Sequence, residues 1–266
     1  MSSFIAAMDH SGGSTNKTLE RYGLHDFDED QKFDLIHAMR MRIVNSPAFN
    51  SNNIWAAILF KDTVDRGMVP LLLKKEIASF LKIDSGILFN GMLKQFDVHS
   101  MIKFAKDSNC VGTKMRSLIH FKESIPALLK EQFDLASIIF KNGLIPIVEP
   151  EVPINHSNKK ELEAILFQEL QKCLSEFDGK CILKLTPPEQ PNLYQEFTEY
   201  HKVAKVVFLS GGYSTDEACR RLQAHSKVSA SFSRALTEGL NFDMSDDVFN
   251  ALLSSHIKMI ERVSSQ

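Results

Sequence analysis

Eight short apolar runs alternate with longer amphipathic stretches along the chain, and this alternation constrains the fold more than any other feature. The runs are FIAAM (4–8), IWAAILF (54–60), IASFLKI (77–83), CVGTKM (110–115), LIPIVE (144–149), CILKL (181–185), KVVFLS (205–210) and VSASF (228–232). Several are continuously apolar, the pattern of strands covered on both faces. Helical stripes lie between them. Phe33, Ile36 and Ile43, with Leu35 and Met39 beside them, form one. Leu162, Ile165, Leu166, Leu170, Cys173 and Leu174 form a second, and Phe249, Leu252, Leu253, His256 and Ile260 a third. Ser214-Thr-Asp-Glu217 reads as a capping box that opens another helix. Strand–helix alternation repeated eight times predicts a (β/α)8 TIM barrel, a single domain over residues 1–266. The alternative is an open doubly wound sheet. The count of eight, and the lack of a glycine-rich fingerprint after the first run, favour the barrel.

Composition sets outer limits. The chain has 266 residues, 44% of them hydrophobic, enough for one large core. A formal charge of -2 favours neither nucleic acid nor an anionic membrane as partner. No apolar run approaches the roughly 18 residues of a membrane span. The start, MSSFIAAMDHSGG, lacks the basic region of a signal peptide. Cys110, Cys173, Cys181 and Cys219 are widely spaced, without a C-x-x-C pair, which fits reduced thiols in the cytoplasm.

The active site of a barrel lies at the C-terminal ends of its strands, so what each run ends in matters. The first ends in Asp9, followed by His10-Ser-Gly-Gly-Ser14. The third carries Lys82 and Asp84, the fourth Lys114 and Arg116. The fifth ends in Glu149, with Glu151 two residues on. The sixth carries Lys184, the seventh leads into Ser210-Gly211-Gly212, and the eighth into Ser231, Ser233 and Arg234. Charge and phosphate-friendly loops gather at one rim. Lysine is seldom fully buried, so Lys184 inside an apolar run suggests chemistry. A neutral amine attacks a carbonyl and forms a Schiff base. The iminium is an electron sink, so an adjacent C–C bond can break or form. Glu149, on the neighbouring strand, could shuttle protons during carbinolamine dehydration, and Asp9 could take a proton from a substrate hydroxyl. Ser-Gly-Gly and Ser-x-Ser-Arg after the last two strands match the place where barrels bind phosphate, with Arg234 as a forked cation.

Each residue also has a plain reading. Lys184 could snorkel to solvent, Asp9 could cap a turn, and Arg234 could be a structural ion pair. Convergence on one rim is what outweighs these readings. Asp26-Phe-Asp-Glu-Asp30 begins like a calcium loop, but Gln31 and His37 stand where glycine and glutamate are needed. Leu209-Ser-Gly-Gly-Tyr213 resembles an ATPase signature, yet no phosphate-binding G-x-x-x-x-G-K-[ST] is present. The nine histidines show no zinc-enzyme spacing.

Taken together, FIAAMDHSGGS (4–14), FLKIDSG (80–86), GTKMRS (112–117), GLIPIVEPEV (143–152), LKLTPPEQPNLY (183–194), VVFLSGGYS (206–214) and SFSRAL (231–236) resemble class I fructose-1,6-bisphosphate aldolases, most of all the shorter bacterial type. The resemblance implies a lyase with Lys184 as the Schiff-base lysine and Glu149 as the main acid/base. Asp9 would act on the sugar hydroxyl at the cleaved bond, and Lys114 would hold the charge network. Arg116 would contact substrate. Ser210, Gly211, Gly212, Ser231, Ser233 and Arg234 would hold the phosphate of the ketone half, and Ser11, Ser14 and Lys82 would lie toward the other. The implied reaction is reversible cleavage of fructose 1,6-bisphosphate to dihydroxyacetone phosphate and glyceraldehyde 3-phosphate, in glycolysis or gluconeogenesis, with no metal or other cofactor. A different Schiff-base phosphosugar aldolase or transaldolase, or an inactive phosphosugar-binding barrel, is the alternative. The expected partner is the phosphosugar alone, and a homo-oligomer is left open.

The chain departs from the family at three places. Ser233 stands where animal members have glycine. Asp84-Ser85-Gly86 stands where members often read D-K-G. The chain ends IERVSSQ, without the tyrosine of the animal tail. A metal-free reaction predicts unchanged activity in EDTA; activity lost to the chelator and restored by zinc would refute it.

Overall fold

A computed structural model describes residues 3–11 and 13–264; the side chain of Ser14 lies outside that description. The strands are β1 (Phe4–Met8), β2 (Ile54–Leu59), β3 (Ala78–Lys82), β4 (Gly112–Leu118), β5 (Ile145–Glu151), β6 (Cys181–Leu185), β7 (Val203–Phe208) and β8 (Ser229–Phe232). All pair in parallel, in sequence order, and β8 closes onto β1. The helices are α1 (Gly13–Arg21), α2 (Glu29–Asn45), α3 (Lys61–Asp65), α4 (Met68–Lys74), α5 (Val98–Asp107), α6 (Ile125–Lys141), α7 (Lys159–Glu176), α8 (Thr215–Gln223) and α9 (Asp246–Val263). The expected (β/α)8 barrel is what forms.

Details differ from the sequence reading in instructive ways. Strand β5 does not stop at Glu149 but continues through Pro150. The last β5–β6 pair is Val148 with Leu183, so β5 beyond it pairs only with β4, and proline is tolerated there. In α2, Ile36, Met39 and Ile43 are buried as expected. The first turn, however, presents Lys32 to the interior and leaves Phe33 exposed. At α8, Ser214 accepts from the Glu217 N–H at 3.3 Å, but only half of the box forms. The Glu217 carboxylate binds Arg220 and Arg221 instead. A reciprocal box does form at α2, between Asp28 and Gln31.

Two apolar regions result. The larger fills the space between the strands' outer faces and the helices. The smaller fills the barrel floor and consists of Ile5, Ala7, Ala56, Ile58, Phe80, Ile147, Ile182 and Val207. These residues follow the period of two in a strand. Two residues further along, about 6.6 Å up a strand at 3.3 Å per residue, the same inward face carries Asp9, Lys82, Glu149 and Lys184. Lys184 is therefore compatible with an apolar run because its neighbours Leu183 and Leu185 face the helices while it faces the mouth. The four cysteines are unpaired, and burial pushes the thiols of Cys110, Cys181 and Cys219 up to about 12. Among the described residues no helix is long and apolar enough to cross a membrane.

Gly112 permits the close approach of β3 and β5 to β4. A Cβ there would stand 2.1 Å from the Ile145 carbonyl oxygen and 2.5 Å from the Phe80 ring. Gly112→Ala should cost about 1–3 kcal/mol and lower the thermal midpoint by several degrees, at about 2–4 °C per kcal/mol. An unchanged midpoint would show that the barrel relaxes freely at this point.

Candidate active site

The strand ends deliver a chain of buried charges. Lys114, on β4, lies between two carboxylates: its Nζ is 2.6 Å from Asp9 Oδ2 and 2.8 Å from Glu149 Oε2. Lys184 Nζ, on β6, is 3.1 Å from the other Glu149 oxygen, Oε1. Asp9, Lys114, Glu149 and Lys184 are all buried. Four residues from four strands thus form one line of alternating sign, Asp9–Lys114–Glu149–Lys184. Lys114 meets Glu149 Oε2 as an ion pair outside hydrogen-bond angles, so that oxygen has no directed donor among the described protein atoms.

The electrostatics follow from this packing. Burial alone would raise the Asp9 pKa, but the ammonium groups of Lys114 and Lys184 outweigh it and hold the carboxyl well below the usual carboxylate range. Burial would lower Lys114, but Asp9, Glu149 and Asp84 reverse that and push it above an ordinary lysine. Arg116 is raised in the same way against its burial, mainly by Glu151, whose Oε2 accepts from Nε at 2.5 Å.

Side-chain bonds to the backbone hold the strand segments that carry Glu149 and Lys184. The Glu149 N–H donates to Gln132 Oε1 at 3.0 Å, from a fully buried side chain of α6. Thr186, two residues past Lys184, donates to the Val152 carbonyl at 2.7 Å and accepts from the Val152 N–H at 3.1 Å. The ends of β5 and β6 are thereby tied together where ladder pairing has ceased. The loop after β6 is held from behind by Lys159, which donates to Pro187 O at 2.8 Å and to Glu163.

These groups open into a cavity of roughly 450 Å³. Of the residues expected from sequence, Asp9, Ser11, Lys82, Lys114, Arg116, Glu149, Lys184, Ser210, Gly211, Ser231, Ser233 and Arg234 line it. Gly212 stands behind the wall: with φ +116, a Cβ there would come within 2.9 Å of an Arg234 nitrogen, so its bareness makes room for the guanidinium. Ser14 lies outside the described side chains. Ser231 Oγ is buried without a hydrogen-bond partner among the described protein atoms. Ser233 Oγ lies 3.2 Å from His10 Nε2, and Arg40 donates to the His10 carbonyl at 2.7 Å. Burial pushes His10 down to about 4, so it is neutral at neutral pH.

The sequence reading missed Lys17 and Arg21, which reach the same cavity from α1. Their spacing of four places both on one helical face, a usable signal once that helix is known to follow β1. It also gave no role to Asp84, whose carboxylate pairs with Lys82 at 2.8 Å and accepts from the Gly86 N–H at 3.0 Å. Among the described residues, no group of three or more His, Cys, Asp or Glu is placed to hold a metal ion.

A buried lysine in contact with a carboxylate, at the C-terminal mouth of a (β/α)8 barrel and beside a phosphate-type loop, is an arrangement suited to a lyase of the imine-forming class. No family model matches the chain. A fructose-bisphosphate aldolase class 1 of Clostridium acetobutylicum is 42% identical over 279 residues, covering 98% of this chain and 95% of its own. The solved structure of fructose-bisphosphate aldolase from Plasmodium falciparum, in complex with TRAP and a small-molecule inhibitor, matches with a TM-score of 0.77 at 20% identity. It covers 100% of this chain and 92% of that one, a likeness of fold. The chain belongs to the class I fructose-bisphosphate aldolases.

Lys114→Met would leave Asp9 and Glu149 buried together with Lys184 as their remaining close cation. Loss of one member of a buried ion-pair set typically costs about 3–5 kcal/mol. Because Lys114 depresses Asp9, its contribution is present above the ordinary carboxyl pKa and is lost as pH falls through the folded one. The gap in thermal midpoint between wild type and variant should therefore stay nearly constant above about pH 4 and narrow as pH falls from about 4 toward about 2. A gap independent of pH would contradict the depression of Asp9.

Proposed function

We propose that the protein catalyses the reversible cleavage of fructose 1,6-bisphosphate to dihydroxyacetone phosphate and glyceraldehyde 3-phosphate, as a cytoplasmic enzyme of glycolysis and gluconeogenesis. The observation that carries this reading is the line of buried charges ending at Lys184, placed in one cavity with Ser210, Ser231 and Arg234.

Lys184 passes a proton to Glu149, and the resulting neutral amine adds to the ketone carbon and forms a carbinolamine. Glu149, 3.1 Å from Nζ, gives a proton to the departing hydroxyl, water leaves, and an iminium remains. Asp9 takes the proton of the hydroxyl on the carbon beyond the scissile bond. The C–C bond breaks, its electron pair enters the iminium to give an enamine, and the aldehyde half departs. Proton and electron pair move together for an electrostatic reason. Cationic nitrogen at Lys184 is one of the charges that depresses Asp9; as the iminium becomes a neutral enamine, Asp9 becomes a stronger base. Protonation of the enamine and hydrolysis of the resulting iminium release dihydroxyacetone phosphate. Lys114, between Asp9 and Glu149, keeps the two carboxyls apart and favours the return of each to its ionised form after it has carried a proton. The imine supplies the electron sink, so no metal is required.

The phosphate of the ketone half belongs with Gly211, Ser210, Ser231, Ser233 and Arg234. Gly211, with φ +58, turns the chain just after Ser210, and such turns direct backbone N–H groups toward an anion. Arg234 supplies the fork. Lys17 and Arg21 add positive charge to the same cavity.

A borohydride trap tests the reading. After mixing with dihydroxyacetone phosphate and reduction, mass spectrometry should map the adduct to Lys184, and Lys184→Met should abolish both adduct and turnover. An adduct on Lys82 or Lys114 would reassign the roles, and no adduct would overturn imine chemistry.

A further inference from the structure

Three loops at the barrel mouth, after β6, β7 and β8, are joined to one another by residues that do not line the Lys184 cavity. The loop after β6 begins at Thr186 and is held by α7. Lys159, which is buried, donates to Pro187 O at 2.8 Å and to Glu189 Oε1 at 3.1 Å. Glu163, one helical turn on and also buried, accepts from Lys159 and, through Oε2, from the Glu189 N–H at 2.9 Å. The backbone and the carboxylate of Glu189 are therefore both fixed, a short way along the chain from Lys184.

The same carboxylate also reaches toward α8. Glu189 Oε1 accepts from Arg221 Nη1 at 3.3 Å. The Arg221 guanidinium carbon lies 4.3 Å from the centroid of the Tyr213 ring, and its Nε donates to Glu217 at 2.6 Å. Tyr213 closes the phosphate-type loop after β7. Its N–H donates to Ser210 O at 2.8 Å, with Gly211 and Gly212 both at positive φ between them. Two residues on, Thr215 joins this loop to the one after β8: its hydroxyl donates to Ala235 O at 2.6 Å and its N–H to Glu238 at 2.6 Å. Ala235 follows Arg234 in the chain. One path of contacts thus runs from Arg234 and Ser210 to the chain just beyond Lys184. Tyr213, Arg221 and Glu189 make its crossing from the β7 loop to the β6 loop, and they supplement the backbone bond from the Leu209 N–H to Leu185 O at 2.9 Å.

We propose that Glu189 and Arg221 are positioning residues through which a phosphate bound at the β7 and β8 loops aligns the Lys184 amine. The proposal rests on the aldolase reading of this cavity and adds the route by which the non-reacting phosphate assists the reacting carbonyl. Binding energy from the part of a substrate that does not react serves to orient the part that does. An anion drawn onto Ser210, Gly211 and Arg234 fixes the turn from Ser210 to Tyr213. The turn holds the Tyr213 ring, the ring holds the Arg221 guanidinium against the Glu189 carboxylate, and Glu189 fixes the chain that leaves β6. Lys184 is then held toward the ketone carbon. The Glu189 and Arg221 side chains are 42% and 23% exposed, so either can be replaced without stranding a buried charge. Lys159 keeps Glu163 and Pro187 O as partners in either case.

The test is the rate at which the Lys184 imine forms, followed by rapid quenching into borohydride and mass spectrometry of the adduct. It is measured with saturating dihydroxyacetone phosphate and with dihydroxyacetone. Glu189→Gln and Arg221→Met should each slow the reaction of the phosphorylated ketone about fivefold, the lower end of coupling between two sites, and leave that of dihydroxyacetone unchanged. The double variant should be no slower than either single one, as for two members of one bridge. Equal slowing with both ketones would show that the bridge only supports β6. A loss of affinity for inorganic phosphate with an unchanged saturated rate would place the bridge in phosphate binding alone. Either result would overturn the proposal, as would no change at all. Absence of a Lys184 adduct in the wild type would overturn the aldolase reading itself, a result separable from any difference between the variants.

Discussion

Lys114 is the charge on which the rest of the site depends. Two carboxylates from β1 and β5 converge at the barrel mouth, both buried, and without a cation between them they could not both stay ionised. Lys114 meets one at 2.6 Å and the other at 2.8 Å. Glu149 is then free to use its second oxygen on Lys184. A buried ion pair is weak evidence for stability, since desolvation offsets much of the attraction. On the proposed mechanism the arrangement serves chemistry: the proposed acid/base Glu149, the proposed proton acceptor Asp9 and the Lys184 amine lie in one buried line, with their charges balanced before substrate arrives.

The barrel makes that line possible by separating two environments along each strand. Ile147 and Ile182 belong to the dry floor, and Glu149 and Lys184, two residues on, belong to the mouth. Gly112 and Lys114 repeat the step on β4. The large apolar layer outside the strands carries the packing, so the inward face above the floor can carry polar groups without emptying the core. Where the ladder ends, side chains take over its work. Gln132 receives the Glu149 N–H, and Thr186 joins the end of β6 to Val152. Lys159 anchors the loop beyond. The reacting groups are thus supported from the helix side by residues that never touch the cavity.

Much of this was legible in the chain. The eight runs are strands, and the polar residues at their ends point to one rim because parallel strands in a barrel share direction. Lys184, Glu149, Asp9 and Lys114 could be singled out because a charge two residues past an apolar inward position lies at the mouth. Phe33 was misread because a helical stripe predicts a face without saying how far that face extends over the sheet; the first turn of α2 buries Lys32 instead. The capping box at Ser214 was half right because Glu217 had two arginines within reach, at Arg220 and Arg221, and bonded to them. Lys17 and Arg21 went unseen because a short polar helix has no apolar period to announce it.

The sequence by itself determined the order and type of the elements, the inward parity of each strand, and the kinds of chemistry at the strand ends. These are local properties, set by side-chain period and by residue type. Tertiary structure alone decided that Lys114, rather than Lys82, stands between Asp9 and Glu149. It also decided that Glu149 turns its other oxygen to Lys184, and that Thr186 ties the end of β6 to Val152. Each depends on which strands neighbour one another and in what register. Contacts between residues tens to more than a hundred positions apart are fixed by closure of the barrel and packing of its helices, which no local pattern encodes.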